Sequence, residues 1–84
     1  MIKSAPYHLY ILRCADGTLY TGITTNLDRR IAAHNHSPRG AKYTRARRPV
    51  SLVFAQRFRN RSAALIEEVR IKKLSRQEKL HMIR

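Results

Sequence analysis

Only five acidic side chains stand against eighteen Lys and Arg in this chain of 84 residues, a formal charge of +13, so a carboxylate that does chemistry must be one of very few. Asp16 lies in Ala15-Asp16-Gly17, a tight-turn sequence. Asp28 follows Asn26 at the start of an expected helix, where the helix dipole favours negative charge. Glu78 is the third residue after Ser75, the spacing of a capping box. Glu67 and Glu68 remain, adjacent in a segment of helical periodicity. With Ala64 as zero and about 100° per residue, Glu68 falls near 40° in an apolar arc running from Ile71 near −20° to Leu65 near 100° and Val69 near 140°. Glu67, near −60°, sits at the margin of that arc, where a carboxylate escapes to water more easily. An ionised carboxylate within a core-facing stripe costs on the order of several kcal/mol unless a cation meets it. Glu68 therefore needs a partner, either Lys72 at i+4, aided by Arg61, or a metal ion.

Arg30 and His34, four residues apart, share one helix face, with His34 bordering the Leu27/Ile31 stripe. A histidine there serves either as a half-buried structural residue or as an acid–base group. Tyr10 and Tyr20 add two phenols, whose ordinary use is sheet packing. They share a face only if the hairpin loop has three residues, with Gly17 left-handed as a bulge, which pairs Leu12 with Tyr20 and Tyr10 with Gly22. A two-residue turn would separate them, since side chains alternate along a strand. Arg39, Lys42, Arg45, Arg47 and Arg48 surround Tyr43 in a basic stretch suited to phosphate contacts that do not read bases. Tyr43 would stack on a base or anchor the loop. Two tyrosines, an arginine, a histidine, a misplaced glutamate and a basic loop together make a phosphodiester-cleaving set.

The elements that must position these groups follow from the pattern. Tyr7 to Arg13 and Thr18 to Thr24 are rich in β-branched and aromatic residues and form an antiparallel hairpin. Asn26 caps a helix from about Leu27 to about Asn35, ended by Ser37-Pro38-Arg39-Gly40. Residues 39 to 49 read as a basic loop holding at most one helical turn. Val50 to Phe58 supplies a third strand. Asn60 caps a helix over about Arg61 to Leu74, and Ser75 opens a short last helix bearing Leu80 and Ile83. The expectation is an α+β fold of order ββαβαα, a small three-stranded sheet flanked by helices, in a single domain spanning residues 1–84.

A charge of +13 exceeds what solubility requires and points to a polyanionic partner, with nucleic acid first. No segment is apolar for the ~20 residues that a membrane span needs, which argues against a membrane partner. Cys14, the single cysteine, can build neither an intramolecular disulfide nor a structural zinc site, and is expected as a small filler at a strand end. Met1 to Pro6 lacks the apolar core of a signal peptide, so the expected location is the cytoplasm.

An aliphatic residue then Tyr ending one strand motif (His8-Leu9-Tyr10), Tyr-x-Gly on the next (Tyr20-Thr21-Gly22), and Arg30 eight residues after that glycine form an ordered pattern. With Asn26-Leu27-Asp28-Arg29-Arg30, His34 and a glutamate motif over Ala64 to Lys73, the chain resembles the GIY-YIG nuclease superfamily. Residues 19 to 25, Gly40 to Thr44 and Arg61 to Ser75 further resemble its small single-domain bacterial branch, the YhbQ-like or UPF0213 type. The resemblance spans nearly the whole chain. It departs at His8, where many members have Gly, and at Leu9 and Thr21, where they have Ile; the side chains of Leu9 and Thr21 point away from the tyrosines. The trailing Asn motif of the excision-repair branch is also missing.

The resemblance implies a one-metal nuclease, with Glu68 holding Mg²⁺ or Mn²⁺ together with waters and a substrate phosphate oxygen. It implies Arg30 on the scissile phosphate, Tyr20 as general base, Tyr10 orienting, and His34 relaying a proton or holding Tyr20 or phosphate. Gly22 would leave room for the sugar–phosphate backbone. The expected partner is DNA before RNA, structured or damaged DNA in a repair setting, acted on by a monomer without a small-molecule cofactor. Two other classes stay open: a non-catalytic RNA- or ribosome-associated binding module in which Glu68 is only an ion pair, and a protein-interaction scaffold.

Overall fold

The computed structural model describes residues 5–83. Residues 1–4, on which most of the signal-peptide reading falls, lie outside the described residues. The elements are β1 (Tyr7–Arg13), β2 (Leu19–Thr24), α1 (Leu27–His36), α2 (Lys42–Arg45), β3 (Ser51–Phe58), α3 (Arg61–Lys72) and α4 (Arg76–Met82). This is the expected α+β order ββαβαα, with α2 a single turn inside the basic stretch.

β1 is the central strand of an antiparallel sheet ordered β2-β1-β3. Gly17 N–H donates to Cys14 O at 2.9 Å and Cys14 N–H to Thr18 O at 2.8 Å, with Gly17 at φ 85°. That is the three-residue loop with a left-handed glycine, and its register pairs Leu12 with Tyr20 and Tyr10 with Gly22. On the other side the register shifts between Ile11 and Leu12, which face Phe54 and Leu52, so Val53 is an extra residue in β3.

Both faces of β1 are covered, so Leu9, Tyr10, Ile11 and Leu12 are all buried although they alternate in direction. Leu9 and Ile11 pack with Ile71 of α3 and with Leu74, Met82 and Ile83, while Tyr10 and Leu12 pack with Cys14, Val50, Leu27 and Ile31 on the α1 side. Cys14 is the buried filler expected at the strand end. Each such apolar side chain contributes roughly 1.5–3 kcal/mol on burial.

The helix starts follow their caps. Asn26 accepts from Arg29 N–H at 3.0 Å, Asn60 from Ala63 N–H at 2.9 Å, and Ser75 and Glu78 complete a reciprocal capping box. The apolar arc of α3 is narrower than expected. Ala64 and Ile71 are buried, but Val69 is 52% exposed and Ile66 73%. A helix lying on a three-stranded sheet touches it along one line, which leaves Glu67 and Glu68 on the two flanks of that line.

Candidate active site

Tyr10 reaches across β2 because Gly22 opposite has no side chain. A Cβ there would lie 2.5 Å from the Tyr10 hydroxyl and 2.7 Å from Cζ. The room expected for a sugar–phosphate backbone is thus filled from within by a phenol, and Gly22 is itself buried. The Tyr10 hydroxyl lies 2.8 Å from His34 Nε2, and His34 Nδ1 lies 2.8 Å from Thr44 Oγ1. Thr44 has one hydroxyl proton, and it goes to Ala41 O at 2.9 Å. His34 Nδ1–H must then donate to Thr44, and Nε2 accepts from Tyr10. Ala41 N–H at 3.4 Å from Nδ1 is a long contact that this assignment leaves secondary.

The chain of bonds is fully enclosed, with Tyr10 1% exposed and His34 and Thr44 at 0%. Burial pushes the Tyr10 phenol up to about 12; Arg30 beside it pulls the other way, while Tyr20 and the charge of Glu68 add to the rise. Burial, with Arg30 and then Arg48 nearby, drives His34 down to about 4. The imidazole is therefore neutral at ordinary pH. His34, expected to relay a proton or to hold Tyr20 or phosphate, is here a fixed acceptor and donor between Tyr10 and Thr44.

Tyr20 shares this face, its ring centroid 6.4 Å from Tyr10 and 5.2 Å from His34. It is half-buried, whereas Tyr10 is sealed, so Tyr20 is the phenol open to water. Tyr43 stacks on it at 5.9 Å, and the Arg47 guanidinium lies 3.9 Å from the Tyr43 centroid. Arg47 also donates from Nη1 to Tyr43 O at 2.9 Å and from Nε to Asp16 Oδ2 at 3.0 Å. Between its two proposed uses, Tyr43 takes that of an anchor.

The basic stretch divides. Arg39, Lys42 and Arg45 are exposed and available to a polyanion. Arg47 is held by Asp16, and Arg48 turns inward, donating from Nε to His34 O and from Nη2 to Ser37 O and Ala33 O. Arg48 thus satisfies the open carbonyls at the end of α1 and is not a free phosphate contact. Arg30 donates from Nη1 to Arg39 O at 3.1 Å, which fixes its direction and leaves further N–H groups.

Glu67 is engaged through both oxygens by Arg70, at 2.7 and 2.6 Å, rather than released to water. Glu68 has a side chain 15% exposed, and its ionic partner among the described residues is Lys72 at 3.3 Å. Lys72 is 53% exposed, and such i,i+4 pairs are worth only about 0.3–0.5 kcal/mol, so the contact does not lock the carboxylate. No cluster of three or more His, Cys, Asp or Glu suited to a metal occurs among the described residues. The donor set therefore fits a cation that takes most of its ligands from water and phosphate, as Mg²⁺ readily does, and does not fit an all-protein cage.

A surface cleft of about 480 Å³ runs beside α1 and includes Arg30, but not Tyr10, Tyr20 or Glu68. Of the four residues expected at the site only Arg30 lines this cleft, so the four do not line one pocket in common. Sequence patterning singles out neither Thr44 nor the Asp16–Arg47–Tyr43 linkage. A lone small hydroxyl residue between cations in Lys42-Tyr43-Thr44-Arg45 is the one signal that marks a buried partner there.

Comparison with known proteins places this geometry in context. The family described as the GIY-YIG catalytic domain matches residues 6–81. The chain is 54% identical over 78 residues to a UPF0213 protein of Desulfotalea psychrophila, covering 93% of this chain and 71% of that one. It is 52% identical to a UPF0213 protein of Staphylococcus haemolyticus, covering 94% and 95%. Among solved structures it is similar to the UPF0213 protein of Bacillus halodurans, at 45% identity and a TM-score of 0.60 with 93% and 82% covered. A protein of E. faecalis matches at 40% identity and a TM-score of 0.63, with 94% and 83% covered.

Proposed function

The chain belongs to the GIY-YIG family of nuclease domains, and from that premise we propose that it hydrolyses phosphodiester bonds in DNA, structured or damaged, with one divalent ion at Glu68. The observation that carries the reading is the cluster around Tyr10: the Tyr20 ring centroid lies 6.4 Å away, His34 Nε2 lies 2.8 Å from the hydroxyl, and Arg30 and Glu68 stand near enough for their charges to act on the phenol. Tyr20, Arg30 and Glu68, from three further elements, β2, α1 and α3, act on this one phenol of β1, which sheet packing alone does not require.

Arg30 binds the scissile phosphate, its planar fork matching two oxygens and countering the charge that develops as the bond breaks. Its bond to Arg39 O holds it in place before substrate arrives. Tyr20, the half-buried phenol open to water, orients the attacking water and, as its phenolate, accepts the water proton. Tyr10 cannot readily give up its own proton, and it holds the Tyr20 face in place through His34 and Thr44. Glu68 would hold Mg²⁺ or Mn²⁺, and such an ion, when bound, stabilises negative charge on phosphate and leaving oxygen. Arg39, Lys42 and Arg45 bind flanking phosphates without reading bases, so cleavage has low sequence specificity.

The test is a panel of labelled DNA and RNA structures incubated with Mg²⁺, Mn²⁺ or EDTA. Metal-dependent cuts in DNA, without a consensus and lost in Arg30→Ala, are expected. Equal activity in Arg30→Ala, or in EDTA, would contradict the reading. The Glu68–Lys72 ion pair favours a second reading, a non-catalytic binding module for RNA, under which no arm of the panel is cut.

A further inference from the structure

The cleft beside α1 shares Arg30 and Arg39 with the site just described. It lies between the Thr24 to Asn26 segment, the outer side of α1 and the Ser37 to Arg39 turn. Its charged lining is of one sign: Arg29, Arg30 and Arg39, with His36 close by. No Asp or Glu lines it among the described residues. Its wall also carries the methyl groups of Ala32 and Ala33. Three arginines lining one hollow repel one another, and an anion in the hollow relieves that cost.

The start of α1 does not supply the attraction, because the Asn26 side chain already takes the Arg29 N–H. The arginine side chains therefore define the ligand. Small-molecule sites fall in the range of about 300–1,000 Å³, so a cleft of about 480 Å³ suits a single nucleotide rather than a bare phosphate ion or a duplex segment. An apolar strip set among guanidinium groups matches a sugar and base attached to a phosphate, which offer both flat apolar surface and charge.

We propose that this cleft is a nucleotide subsite. The phosphate binds Arg29 and Arg39, the nucleoside lies against Ala32 and Ala33, and the occupant is the unit next to the phosphate held by Arg30. Its place next to the cut rests on the nuclease reading; its ligand chemistry does not. The Gly40 backbone fixes the shape of the cleft: a Cβ at Gly40 would lie 2.7 Å from Ala33 O, so the turn sits directly on α1.

Amide NMR titration of the full chain in EDTA with thymidine 5′-monophosphate, and separately with inorganic phosphate, tests this without any cleavage. Nucleotide should shift amides around Arg29, Ala32, Ala33 and His36 and bind more tightly than phosphate. Ala32→Leu fills the cleft at an exposed position and should weaken nucleotide binding by about tenfold or more. Arg29→Ala should weaken both ligands, and it stands in if Ala32→Leu loses the dispersed spectrum of a folded chain. Shifts confined to Lys42 to Arg45, or a nucleotide affinity no better than that of phosphate, would overturn the subsite. So would affinity unchanged in the folded variants. Binding in the cleft by a chain that cuts nothing would instead retain the subsite and remove the nuclease reading.

Discussion

His34 is the residue on which the interior of the site turns, because it is buried, neutral and bonded through both ring nitrogens. A free imidazole gains its proton near 6.5, whereas His34 holds out to about 4. Between these values the unfolded chain binds a proton that the folded chain does not, so stability falls as pH falls through the window. The full effect is about 3 kcal/mol, at about 1.4 kcal/mol per pH unit. Denaturant titrations from pH 7 to pH 4 should show this loss in the wild type and much less of it in His34→Gln. Parallel curves for the two would mean that His34 is not held neutral. Tyr10 gives the opposite sign at the alkaline end: its phenol is raised from 10.0 to about 12, so stability is lost as pH rises through that interval.

At the scale of elements, the basic stretch is organised by one exposed carboxylate. Asp16 accepts from Thr18 through Oδ1 and from Arg47 through Oδ2. Arg47 in turn covers Tyr43, which stacks on Tyr20. The hairpin turn thus holds α2 against the site, helped by Ala15 N–H donating to Arg47 O at 2.9 Å. In Asp16→Ala, amide exchange across Lys42 to Arg45 should quicken by about tenfold while α3 is unchanged, since segments with few buried contacts open locally. Unchanged exchange at α2 would show that Asp16 serves only its own turn. This linkage also marks how far the sequence can be read. Whereas the hairpin register stayed open until the loop length was seen to be three, the three caps and the strand and helix order were legible because each rests on local rules: an Asn or Ser before a helix, a period of two or of 3.6. The division of the cations into Arg48 capping α1, Arg47 holding Tyr43, and Arg39, Lys42 and Arg45 facing water was not. Arg47 reaches Asp16, 31 positions away, and Arg48 reaches carbonyls 11 to 15 positions away, which no local pattern records. Gly22 was read as leaving room for a sugar–phosphate backbone, and the occupant of that room, Tyr10, is visible only in three dimensions.

Across the whole molecule, a charge of +13 surrounds a sheet with helices on both faces, and the same charge serves binding and catalysis differently. Phosphate contacts through Lys and Arg release counterions, so binding should weaken steeply from about 50 to about 300 mM salt. Binding that ignores salt would favour a protein-interaction scaffold instead. Under the proposed mechanism cleavage depends on one carboxylate, since Glu67 is taken by Arg70 and the remaining acids serve turns and helix ends. Replacing Glu68 by Gln keeps its size and leaves the surface cations in place. The decisive measurement is metal-dependent cleavage and salt-dependent binding of one labelled DNA by wild type and Glu68→Gln side by side. The account predicts cleavage reduced by at least about a hundredfold with affinity in EDTA unchanged. A Glu68→Gln protein that cuts as fast as the wild type would contradict it.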